Sequence, residues 1–156
     1  MQVNTSSPVS VVSTCLTATL ENVSQRVGDL PMQLYDDLEQ QRLEPKGPMV
    51  FVYRGVDGNP NTEFELEITL PVDAEAARDN YQGKFEIKRV EAFRHVETEY
   101  AGPVSAMSKE GYEPLFTDLS RSGLAPDGQC REVYDNWVNP ESDENRIRIQ
   151  VGVQSG

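Results

Sequence analysis

A chain of 156 residues, 37% of them hydrophobic and spread from end to end, is long enough for one domain with a sizeable core, and no apolar run approaches the roughly 18 residues of a membrane span. Its formal net charge of −12 sets it against phosphate backbones and anionic lipid surfaces, so neither direct nucleic-acid binding nor membrane association is expected, whereas neutral and cationic partners fit. Two cysteines, Cys15 and Cys130, and a single histidine, His95, make neither a disulfide framework nor a zinc pattern, so no cofactor or metal is expected.

Residues 1–7 read as a flexible N-terminus with no basic or apolar region of a secretory signal, which makes the cytoplasm the default location. Residues 8–156 read as a single domain. The stretch PVSVVSTCLTATL (8–20) is rich in β-branched residues and predicts a strand. In DLPMQLYDDLEQQRLEP (29–45), Leu30, Leu34 and Leu38 recur at helical spacing, with Pro31 suited to the first turn and Pro45 to the stop. PMVFVYRG (48–55) predicts a strand, VDGNPN a turn, and TEFELEITLPV (62–72) a strand of nearly strict alternation. The second half repeats that order. VEAFRHVETEY (90–100) is a strand, and a helix carries Val104, Met107, Leu115 and Leu119 with a break or a re-start expected at Pro114. A loop holds SRSGLAPDGQC (120–130), and the strands CREVYDNWV and NRIRIQVGV flank the turn NPESDE.

The two halves share an offset of 81. LYDDL at 34–38 falls on LFTDL at 115–119, Tyr53 on Tyr134, and Leu66, Ile68 and Leu70 on Ile147, Ile149 and Val151. Carried through without a gap, the offset also lays the strand from Val9 on the stretch from Val90. The chain therefore reads as two β-α-β-β modules, 8–80 and 81–156, related by a pseudo-twofold. The fold class is α+β, with a mainly antiparallel sheet, helices on one face and a groove between the modules.

A tandem β-α-β-β pair with Gly-Pro entering its second helix (EYAGP, 99–103), with EVY (132–134) before a turn and a closing strand like RIQVGV, resembles the GyrI-like small-molecule-binding family. That family includes effector-binding domains of AraC-type and multidrug-responsive regulators. The resemblance covers roughly residues 8–154, and it implies a groove in which acidic residues hold cationic lipophilic ligands. Two departures stand out: Gly152 replaces the usual closing proline, and Arg148 stands where an acid is common.

Alternation nominates the groove residues independently. Phe51 and Tyr53 share one strand face, as do Glu132 and Tyr134, and aromatics beside a carboxylate suit an apolar cation. Trp137, Glu67 and Arg148 complete the candidate ligand-binding set. On the 81 register Glu65 matches Arg146 and Glu67 matches Arg148, so these charges are expected to pair if their strands meet at the dyad. His95 near Glu97 lacks a nucleophile and reads as structural, and no catalytic residue is nominated.

The function expected is a stand-alone sensor or sequestering protein for a hydrophobic, neutral or cationic small molecule. No helix-turn-helix fits before the first strand, so any transcriptional output is expected to need a separate regulator or target protein. The alternatives are a hydrolase of reactive small molecules in the same groove and an acidic protein-interaction or inhibitor module. The latter predicts a contiguous acidic face and no enclosed pocket.

Overall fold

The computed structural model describes residues 1–155. Among them eight strands form one antiparallel sheet: β1 (Asn4–Ser6), β2 (Val9–Ala18), β3 (Val50–Arg54), β4 (Phe64–Pro71), β5 (Glu86–Val90), β6 (Phe93–Ala101), β7 (Pro126–Asn136) and β8 (Arg146–Val153). The strand order is β1-β6-β8-β7-β3-β4-β2-β5. The strands β2, β3 and β4 of the first half mirror β6, β7 and β8 of the second about the β3–β7 pair. In that pair Phe51 lies opposite Glu132, its own counterpart 81 positions on. The pseudo-dyad therefore passes through these two residues. The fold is α+β with an antiparallel sheet, as the pattern of the sequence implies.

Three details differ from expectation. First, the seven-residue N-terminus is not wholly a flexible tail, because Asn4–Ser6 pair with β6. Second, β5 performs the same service for β2, so each half lends its leading strand to the other. Third, the offset is 81 for β3/β7 and β4/β8 but 84 for β2/β6, since Leu16 pairs with Leu66 while Tyr100 pairs with Ile147. The gapless register fails there because the first module is three residues longer than the second between its leading strand and its helix: Leu16 to Leu34 is 18 positions, Tyr100 to Leu115 is 15. The modules are joined through α3 (Ala74–Asn80), a short helix capped by Asp73, whose side chain accepts from the Ala76 N–H at 2.9 Å.

The lending of strands dictates the shape. Strands β1 and β2 stand six places apart, about 29 Å in a flat sheet at about 4.8 Å per strand. Only Ser7 and Pro8 join them, a reach of about 11 Å. The same holds for Glu91 and Ala92 between β5 and β6. The sheet must curl until its two edges approach each other.

On the outer side lie the helices. α1 (Val23–Val27) and α2 (Leu30–Gln40) cover the first half, where Leu34 and Leu38 bury against Leu66, Ile68 and Phe51. A 3₁₀ turn (Val104–Ala106), a π turn (Ser108–Tyr112) and α4 (Glu113–Arg121) cover the second, where Leu115 and Leu119 bury against Ile147 and Ile149. The echo of LYDDL in LFTDL is thus a leucine pair serving the same core position twice. Pro114 re-starts the helix, one of the two outcomes expected of it. It occupies the first turn of α4, where a missing N–H costs nothing, and the turn before it widens to π geometry.

The linker after α3 is tied to α2 by a buried carboxylate. Tyr81 Oη donates to Asp37 Oδ2 at 2.5 Å and accepts from the Phe85 N–H at 2.8 Å. Burial, and then the Asp37 carboxylate, push the Tyr81 phenol up to about 12, so it stays a donor. Tyr81→Phe leaves both partners unsatisfied and is expected to cost about 1 kcal/mol, a loss of about 2–4 °C in a thermal melt.

Candidate functional site

The two helical coverings sit over separate cores that meet at Tyr134, which packs against both. Between them the outer face of β3 and β7 is left open, and a cavity of about 1120 Å³ forms there. Alternation puts Phe51 and Tyr53 of β3, and Glu132 and Tyr134 of β7, on its floor. Val23, Val27 and Met32 of α1 and α2 make one wall. Val104 and Met107 make the other, with Trp137 and Pro140 of the β7–β8 hairpin.

That hairpin is held rigidly for a turn so exposed. Asn145 is fully buried; its Nδ2 donates to the Asn139 carbonyl at 2.7 Å and its Oδ1 accepts from the Val138 N–H at 2.9 Å. The Pro140 carbonyl in turn accepts from the Val104 N–H at 2.8 Å, tying the hairpin to the entry of the second helix. Trp137 is thereby fixed edge-on to Tyr134 at 5.6 Å between centroids, and Tyr134 edge-on to Phe51 at 4.8 Å. Each pairing is within the range in which ring quadrupoles attract.

Glu132 is 4% exposed and is the chemical centre of the floor. Its Oε1 accepts from Tyr53 at 3.0 Å and from Tyr134 at 2.6 Å, while its Oε2 accepts from Tyr112. Burial pushes its pKa up, and the hydroxyls of Tyr112, Tyr134 and Tyr53 hold it back without cancelling the rise. All three phenols are pushed well above their ordinary value, by burial first and then by the neighbouring carboxylate. They therefore remain protonated donors over any accessible pH. The arrangement points three hydroxyl donors at one carboxyl group inside an aromatic wall.

Of the residues nominated from sequence, Phe51, Tyr53, Glu132, Tyr134 and Trp137 come together in the cavity. Glu67 and Arg148 do not. Both lie on the inner face of the curl, and β4 and β8 never meet, because β3 and β7 stand between them. The expected pairing of Glu65 and Glu67 with Arg146 and Arg148 is accordingly absent. Glu67 instead joins Arg54 at 3.1 Å and Lys88, and accepts from Ser13 at 3.2 Å. Arg148 forms a two-pronged pair with Asp135 at 2.6 and 2.9 Å, and so does not neutralise Glu132.

Tyr112 and Asn145 escaped the sequence reading. Tyr112 owes its place to the π turn, whose Gly111 is buried so closely that a Cβ there would lie 2.5 Å from Ile149 Cδ1. A glycine directly before a tyrosine, two residues ahead of Pro114, was the available signal. His95 is buried on the inner face beside Phe93, stacked at 5.2 Å. Among the described residues no group of three or more His, Cys, Asp and Glu is placed to hold a metal, and no helix is long and apolar enough to cross a membrane.

No family model matches the sequence, and no curated protein does. Solved structures match closely in shape. The C-terminal domain of EcmrR superposes with a TM-score of 0.75 at 15% identity, covering 99% of this chain and 97% of that one. In the complex of EcmrR with DNA the TM-score is 0.77 at 16% identity, and there this chain spans 57% of the longer protein. SAV2435 bound to tetraphenylphosphonium gives 0.64 at 12% identity, covering 98% and 93%. A hydrolase from Listeria innocua gives 0.60 at 13%, covering 98% and 92%. The chain thus has the fold of the EcmrR C-terminal domain and of SAV2435.

Proposed function

We propose that the chain binds a hydrophobic, cationic small molecule in the cavity above β3 and β7, acting as a sensor or a sequestering module. The observation that carries this is Glu132, a buried carboxylate in a cage of Tyr53, Tyr112 and Tyr134 on the floor of an aromatic-walled cavity. A cation entering it meets ring faces with a full negative charge directly behind them. The capture of tetraphenylphosphonium by SAV2435, a protein of the same shape, supports the same reading.

The competing readings are weaker on specific grounds. A glutamate acting as general base in a hydrolase must reach a water, and both cavity-side positions of Glu132 already accept tyrosine hydroxyls. A purely acidic interaction module predicts no enclosed pocket, against the cavity of about 1120 Å³.

The test is a thermal melt with tetraphenylphosphonium and with neutral tetraphenylmethane analogues of matched size. The cation at 100 times its dissociation constant is expected to stabilise the fold by about 2.7 kcal/mol, a rise of about 5–10 °C. Equal shifts with cation and neutral analogue, or no shift with either, would overturn the assignment.

A further inference from the structure

Resting on that binding reading, the geometry points to Tyr53 and Tyr134 as specificity residues that make the site select cations without N–H donors over protonated amines of the same size. A carboxylate offers about four lone-pair positions, two on each oxygen. Oε1 of Glu132 spends both of its positions on Tyr53 and Tyr134, the two tyrosines that line the cavity. Oε2 turns to Tyr112, which is not part of the cavity lining. A ligand in the cavity therefore feels the charge of Glu132 but finds both positions of the cavity-side oxygen taken.

The consequence separates two kinds of cation. An ammonium group entering this floor sheds water that had accepted its N–H bonds and finds there only the neutral hydroxyl oxygens of Tyr53 and Tyr134 in place of a carboxylate, an incomplete exchange for a buried donor. A quaternary ammonium or phosphonium has no such bonds to lose. It keeps the whole benefit of ring faces and charge. The floor rejects amines by being already satisfied.

The inference makes an unusual demand: deleting one hydroxyl must improve amine recognition. Tyr134→Phe frees one cavity-side position on Oε1, and Tyr53→Phe frees the other. Benzyltrimethylammonium and benzylammonium are the probes, with dissociation constants read from the fluorescence of Trp137, the only tryptophan, beside Tyr134. Wild type is expected to prefer the quaternary probe by about tenfold, and in Tyr134→Phe the ratio of the two affinities should fall by about tenfold as a charge-assisted bond forms. Tyr53→Phe must show the same direction, which covers failure of either variant to fold.

Equal affinities in wild type, or a ratio that neither variant changes, would overturn the inference while leaving the binding reading intact. Loss of both probes in Glu132→Gln with that unchanged ratio identifies this case. If neither probe binds wild type, or both bind Glu132→Gln as tightly, the binding reading fails and the specificity with it.

Discussion

Glu132→Gln is expected to weaken benzyltrimethylammonium binding about a hundredfold and yet to raise the melting temperature at neutral pH. The affinity loss follows from charge. A carboxylate about 5 Å from a cation in a partly buried site contributes about 3 kcal/mol at an effective dielectric constant of about 20. Glutamine keeps the shape and removes that attraction. The stability gain follows from the same charge in the empty site. Burial raises the Glu132 pKa in the folded state, so the native protein holds a proton that the unfolded chain has already released. The contribution of Glu132 to stability is therefore fully present below the unfolded glutamate pKa and is lost as pH rises through the raised folded value. A neutral isostere escapes that loss, so variant and wild type should converge in acid and diverge towards neutrality, with the variant higher. Binding runs the other way, strengthening as pH rises through the Glu132 pKa. Melting curves from pH 4 to 8, with and without the probe, read both limbs. A variant less stable than wild type at pH 8 would mean that the tyrosine cage more than offsets the cost of burying the charge.

Much of this site was legible because period two and the duplication are both local signals. Alternation placed Phe51 with Tyr53 and Glu132 with Tyr134, and the offset of 81 related the two pairs. The same information could not say which strands cross at the dyad. Both β3/β7 and β4/β8 obey the offset, and only the pairing of Phe51 with Glu132 decides between them. Strand pairing is a long-range property, and it misplaced Glu67 and Arg148. The edge strands were hidden for a related reason: β1 and β5 hold three and five residues, too few to show a period, and each pairs with the other half. Tyr112 was hidden by backbone geometry, since a π turn shifts every later side chain from its expected helical face. The helix of Ala74–Asn80 was legible in principle, with aspartate at its cap and Glu75 in its first turn.

The misplaced glutamate gives the second large effect, opposite in sign to the first. Glu67 and Glu132 are both buried, on opposite faces of one sheet. Burial alone would push Glu67 up as it does Glu132, but the Lys88 ammonium and the Arg54 guanidinium outweigh it and hold Glu67 below the ordinary carboxylate value. A lowered folded pKa contributes stability that is present above the unfolded value and is lost as pH falls through the folded one. Lys88 is drawn from β5, an edge strand that rests on β2 alone, so the ion pair also fastens the borrowed strand to the sheet. Removing one partner of a fully buried pair costs about 3–5 kcal/mol. Lys88 and Arg54 are partly exposed and can rehydrate, and glutamine keeps one acceptor, so Glu67→Gln is expected to cost about 2 kcal/mol at pH 7. The deficit should vanish in acid, where wild-type Glu67 is itself protonated. Melts of the two glutamine variants across pH therefore bend in opposite directions from wild type. Amide exchange in β5 should quicken in Glu67→Gln and stay unchanged in Glu132→Gln. Parallel pH curves for the two variants would show that charge at these positions is not what separates a fastening glutamate from a binding one.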